Sequence, residues 1–174
     1  RHIRTHSIPE DQTVRPAMKI SLLAVGRTDS TAIEGLMGEY EKRLKRFADF
    51  SREELPDVKN ARSLSEKEQK AREGTDILSR IKPSDHVLLL DERGKQFSSP
   101  EFAENLQKHL NSGIKNLVFV IGGPYGFSEE VYQRANGLIS LSKMTFSHQM
   151  VRLFFTEQLY RAFTILNGLP YHHQ

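Results

Sequence analysis

The run Val118-Phe119-Val120-Ile121, closing on Gly122-Gly123-Pro124-Tyr125-Gly126, constrains the fold more than any other stretch of the chain. A short unbroken β-branched and aromatic run describes a strand buried on both faces, as in a parallel sheet. Glycines at its carboxyl end let a ligand or another backbone approach, because no Cβ stands in the way. A second short strand, Leu138 to Leu141, follows after a helix beginning at Ser128, and it too ends in a polar loop. In open α/β sheets, ligands bind in the crevice outside such carboxyl ends. Two of them in succession predict one pocket built from two loops.

The rest of the chain repeats the same alternation. Lys19 to Val25 reads as a buried strand turning at Gly26. Asp29, Ser30 and Thr31 offer caps for a helix carrying Ile33, Leu36, Met37, Tyr40, Leu44 and Phe47 at helical spacing. A mixed strand near Asp49 to Leu55 precedes a helix started by the Ser65-Glu66-Lys67-Glu68 capping pattern and stopped by Pro83. His86 to Asp91 is the clearest buried strand, and Glu92-Arg93-Gly94-Lys95 reads as the turn that ends it. Ser99 as N-cap with Pro100 at the first helical position opens a helix ending at Gly113. The last helix is expected from His148 to Asn167. Strands alternating with helices predict an α/β fold, a mostly parallel sheet with helices on both faces.

A length of 174 residues suits one domain, expected over 18–174. The preceding residues, 1–17, are polar and aperiodic and read as a non-native or upstream leader, expected to be disordered. No apolar run reaches the roughly 18 residues of a membrane span. The absence of cysteine excludes disulfides and thiolate chemistry, and no histidines or paired carboxylates recur at ligand spacing, so no metal is expected. A net charge of +3 does not fit a protein that holds nucleic acid by bulk charge alone, although a local patch remains open. Neither Gly-x-Gly-x-x-Gly nor Gly-Lys-Ser/Thr is present, which disfavours a bound phosphate and leaves an adenosine held by backbone groups as the better guess. No Gly-x-Ser-x-Gly elbow supports a serine triad.

The last helix is apolar nearly all round, so it must be buried on more than one side, and a second subunit is the expected cover. Arg152, Glu157 and Arg161 interrupt it, either as structural ion pairs or, for the arginines, as contacts to substrate phosphate. The tail Pro170-Tyr171-His172-His173-Gln174 is either a frayed end or an aromatic, cationic lid that meets RNA.

Together, Met18-Lys19-Ile20 to Gly26, Leu89-Leu90-Asp91 with Gly94-Lys95, Ile121-Gly122-Gly123-Pro124 with Gly126, and Ser140-Leu141-Ser142 with Thr145 and His148 form a pattern that continues through the last helix. There it takes in Val151-Arg152, Glu157, Leu159-Tyr160-Arg161-Ala162 and Pro170-Tyr171-His172. This pattern resembles the RlmH-type ribosomal RNA large-subunit methyltransferases of the SPOUT class. The resemblance implies a carboxyl-terminal trefoil knot and a cytoplasmic homodimer whose second subunit completes the site. It also implies methyl transfer from S-adenosyl-L-methionine to N3 of a pseudouridine in helix 69 of 23S rRNA. Carried over, cofactor contacts fall on Leu90, Asp91, Gly122 and Gly123 and on the loop Ser142, Lys143, Met144, Thr145, Phe146 and Ser147. Substrate contacts fall on Arg152, Tyr160, Arg161, Tyr171 and His172. His148 and His172 belong to the side-chain class that exchanges protons near neutral pH, and Arg152 and Arg161 could stabilise an anion. The sequence does not choose a base among these four catalytic candidates. A non-catalytic RNA- or ribosome-binding module with the same fold is the alternative.

Overall fold

In the computed structural model, which describes residues 18–173, β1 (Lys19–Val25) sends Ile20, Leu22 and Ala24 to one face of the sheet and Leu23 and Val25 to the other. This two-residue alternation gives the sheet two apolar faces, each needing a layer of helices. The expectations for residues 1–17 and for Gln174 lie outside the described residues. α1 (Thr31–Leu44) is capped by Ser30, whose Oγ accepts from the Ile33 amide at 3.3 Å. β2 (Asp49–Leu55) follows. α2 (Glu66–Ser79) is capped by Ser65, which accepts from the Glu68 amide at 3.1 Å. The remaining elements are β3 (His86–Gln96), α3 (Ser99–Asn111), β4 (Asn116–Ile121), α4 (Glu129–Arg134), β5 (Gly137–Ser140) and α5 (Met150–Leu166).

The five strands pair in the order β2-β1-β4-β3-β5, and every pairing is parallel. On one face α1, α3 and α5 bury Met37, Leu44, Phe102, Leu106, Phe155 and Leu159 against the sheet, with Phe119 and Phe155 4.7 Å apart between ring centres. On the other face lie α2 and α4, with Ile77 and Val131 in the core. Each fully buried Leu or Phe contributes about 1.5–3 kcal/mol, so the three-helix face carries most of the apolar stabilisation.

Three local expectations shift. The N-cap of α3 is Ser98, not Ser99: Ser98 Oγ accepts from the Glu101 amide at 3.2 Å while Glu101 accepts from the Ser98 amide at 2.9 Å. This reciprocal box outcompetes Ser99, which instead donates to Gln158 of α5 at 2.8 Å. β3 does not end at Asp91 but continues to Gln96 through an irregularity, with Leu90 and Lys95 both opposite Ile139 of β5. Gly94 permits this, since a Cβ there would lie 2.6 Å from the Ile139 nitrogen, and backbone cannot yield as a side chain can. Helix α5 begins at Met150 rather than His148, after Ser147 accepts from the Met150 amide at 3.0 Å.

Candidate active site

β4 lies between β1 and β3. Its chain continues to α4 on one face, whereas β1 and β3 continue to α1 and α3 on the other. Divergence of neighbouring connections opens a crevice at the carboxyl ends. A cleft of about 1100 Å³ occupies this place, walled by the ends of β3, β4 and β5, by the loop from Leu141 to His148, and by the cleft-facing side of α2. Leu90, Asp91, Gly122, Gly123, Ser142, Met144, Thr145, Phe146, Ser147 and His148 all line it; Lys143 does not. The loop is braced by short side chains. Ser140 Oγ donates to the Ser142 carbonyl at 2.9 Å, and Ser142 Oγ accepts from the Met144 amide at 3.0 Å.

The glycines of the β4–α4 turn are also required by the protein's own packing. A Cβ on Gly122 would lie 2.9 Å from the Phe127 ring, and one on Gly123 would collide with the Glu73 carboxylate. The protein's own side chains fill the space the glycines leave. Glu73, on α2, is only 3% exposed, and its Oε2 has no hydrogen-bond partner while Oε1 accepts from Gln69 at 3.2 Å. Burial, reinforced by the neighbouring Asp57, pushes its carboxyl above the ordinary range despite the Gln69 amide. Nothing in the local sequence of α2 marks Glu73 as the partner of a turn on β4.

Asp91 shows the opposite balance. Burial pushes its carboxyl up, but the Tyr132 hydroxyl, the Arg93 amide at 2.9 Å and the Arg93 guanidinium all donate to it and hold it below the ordinary range. Arg93 also lies over the Tyr132 ring at 4.6 Å. Asp91 is thus a paired wall of the cleft, and Tyr132 is a site residue that α4's sequence did not signal.

Arg152 is a correction. A substrate contact is expected of it, yet it is fully buried and does not line the cleft. Its guanidinium donates to the Val25 carbonyl at 2.8 Å, the Gly26 carbonyl at 2.8 Å, Thr28 Oγ1 at 3.1 Å, Glu54 at 3.1 Å and the His148 carbonyl at 3.0 Å. It ties the start of α5 to the ends of β1 and β2. That is a positioning role, and it holds His148 beside the cleft.

The remaining candidates form a second cluster away from the cleft. Helix α5 ends at Leu166 with Asn167 as its C-cap, and Gly168 takes φ +65. The Leu169 amide donates to the Thr164 carbonyl at 2.9 Å and the Gly168 amide to the Ile165 carbonyl at 3.1 Å. This left-handed stop turns the chain back onto α5. Tyr171 consequently donates to Glu157 at 2.8 Å and lies 3.4 Å from the Tyr40 hydroxyl of α1. Arg161 donates to Glu157 at 2.6 Å, the expected pair one helical turn apart, and meets His172 Nδ1 at 3.1 Å. A guanidinium only donates, so His172 Nδ1 accepts and the proton of the neutral ring sits on Nε2, which is buried without a partner. Tyr160 packs against the Tyr171 ring at 4.8 Å. Burial, then Tyr40 and Glu157, push the Tyr171 hydroxyl far above its ordinary range, so it remains a donor.

A parallel five-stranded sheet with a strand-end cleft defines the chain as an open-sheet α/β protein. Comparison with known proteins narrows this. Residues 18–172 match the family described as predicted SPOUT methyltransferase. The chain is 59% identical over 157 residues to a Flavobacterium johnsoniae protein named ribosomal RNA large subunit methyltransferase H, and 60% identical to one of that name from Christiangramia forsetii. A protein of the same name from Parabacteroides distasonis is 53% identical. Each match covers 90% of this chain and 100% of the relative. The chain belongs to the SPOUT methyltransferase family.

Proposed function

We propose that the protein is a homodimeric, cytoplasmic ribosomal RNA methyltransferase that transfers a methyl group from S-adenosylmethionine to N3 of a pseudouridine in helix 69 of 23S rRNA. The observation that supports this most is the strand-end cleft in a chain whose described domain matches the SPOUT family almost end to end. The trefoil threading expected of that class is part of the same reading.

The residues present suit S-adenosylmethionine. Leu90, Ile121, Ile139 and Leu141 offer apolar walls for an adenine, and the hydroxyls of Ser142, Thr145 and Ser147 and the backbone of the two loops offer polar contacts. Charged groups at the rim, Lys67 and Lys70 opposite Glu129 and Glu130, match a zwitterionic amino-acid end. When bound, the cofactor supplies an electrophilic methyl group on a sulfonium. Holding both reactants in line provides much of the acceleration. The protein must also take up the N3 proton and the negative charge spread over the neighbouring carbonyl oxygens.

Tyr160, Arg161, Tyr171 and His172 are assigned to the RNA, with Arg161 as a donor to that charge and His148, at the cleft, as a candidate proton acceptor. None of the four tail-cluster residues lines the cleft of its own chain. A second subunit can bring its tail to this cleft. Met150, Phe154 and Phe146 support such a dimer, since they stay 36–41% exposed at the start of α5.

The test is calorimetric titration with S-adenosylmethionine, followed by transfer of a labelled methyl group to ribosomes lacking the modification. Saturable binding with label at N3 of the pseudouridine is expected. Ribosome binding without turnover would convert the reading to a non-catalytic binding module.

A further inference from the structure

Among the described residues, the densest run of cations lies outside both clusters. Lys42, Arg43, Lys45 and Arg46 fall at the carboxyl end of α1 and just beyond, and all are exposed. Among the described residues, none of them forms an ion pair, whereas Arg52, Arg80, Arg93, Arg152 and Arg161 all do. The acids nearest in sequence form no ion pair with the strip. Glu41 turns to Arg52 at 3.1 Å, and Glu39 and Asp49 flank the strip without pairing to it. One or two cations in a last helical turn are explained by the helix dipole. Lys45, at the cap, and Arg46, past it, exceed that need.

The strip is physically continuous with the tail. The Arg43 guanidinium lies 5.4 Å from the Tyr40 ring and 5.7 Å from the Tyr160 ring. Phe47, immediately after the strip, stacks on Phe163 at 5.9 Å and packs against Tyr160 at 6.3 Å. Tyr160 in turn holds Tyr171. In a chain whose net charge is only +3, four exposed cations that form no ion pair, beside an aromatic, hydrogen-bonding cluster, have the character of a local polyanion site.

We propose that Lys42, Arg43, Lys45 and Arg46 form a docking strip for the phosphodiester backbone of the ribosomal RNA whose target base meets the adjoining tail. This rests on the proposed function. Phosphate contacts position a nucleic acid without reading its bases, so the strip would set the register in which the tail cluster meets its nucleoside. The exposure of all four suits a backbone lying across the surface rather than a buried small anion.

The chain has no cysteine, so an Arg46→Cys variant carries one attachment point for a photoactivated crosslinker. On large-subunit particles the adduct is expected on ribosomal RNA. Adducts confined to ribosomal proteins, or none, would overturn the assignment. Independently, replacing all four cations by Gln should flatten the plot of log binding constant against log salt. The slope should fall by roughly 0.7–0.9 for each phosphate that is no longer neutralised, with S-adenosylmethionine affinity unchanged. An unaltered slope would also overturn the assignment. A wild-type protein that fails to methylate ribosomes sinks the proposed function itself. A wild-type that methylates, beside a variant with an unaltered slope, sinks only the strip.

Discussion

The cleft at the strand ends is built from backbone, turns and short side chains, whereas the tail cluster is built from long polar side chains drawn from α1, α5 and the chain end. In the cleft, the tolerance of each position is set by room: Phe127 and Glu73 already fill the volume beside Gly122 and Gly123. In the tail, it is set by hydrogen bonds: Glu157 alone receives Tyr171 and Arg161. A pocket specified by room fails by steric clash. A network specified by polar atoms fails by losing a partner.

The largest expected effect tests whether Arg152 belongs to either region or underlies both. Arg152→Ala should lower unfolding free energy by about 3–5 kcal/mol, because it strips partners from buried carbonyls and from Glu54. Urea denaturation reads this directly, and a loss near zero would return Arg152 to the candidate substrate contacts. Next, deleting Tyr171–Gln174 should reduce methylation on the order of 10²-fold or more while leaving S-adenosylmethionine affinity unchanged in calorimetry. Weakened cofactor binding would erase the division between the regions.

Gly123→Ala should cost about 1–3 kcal/mol by overpacking and weaken cofactor binding, and adding Glu73→Ala in the same chain should recover most of the loss. If the double variant is no better than the single, Glu73 is not what the glycine accommodates. The smallest effect concerns pH. The Glu73 carboxyl is raised in the folded state, so its contribution is fully present below the unfolded value and is lost as pH rises through the folded one. Glu73→Gln should therefore flatten the decline of melting temperature as pH rises from about 4.5 toward neutrality. An unchanged profile would mean the carboxylate is ionised at little cost.

What could be read in advance followed the same division. Caps at Ser30 and Ser65, the β4 strand run and the glycine turn are local patterns, and they stand where expected. Ser98 and Ser99 both carry a capping hydroxyl, and only the reach of Glu101 decides between them. The stretch Glu92 to Lys95 has turn-like composition, yet it stays extended because β5 pairs with it. Most of the residues that line the strand-end cleft were legible, the glycine turn from its place at a strand end and the Ser142–Ser147 loop from the family resemblance. Tyr40 as partner of Tyr171 was not, since 131 positions separate them.

By itself, the sequence determined the elements, their alternation and the place of the pocket, since each follows from periodicity and turn chemistry within a few neighbours. Only the tertiary structure decided the strand order, the burial of Arg152, the role of Glu73 beneath the turn and the separation of tail from cleft. Those depend on which side chains meet across long stretches of chain. Such meetings are selected by packing and by the cost of leaving buried polar groups unpaired, not by any pattern along the chain.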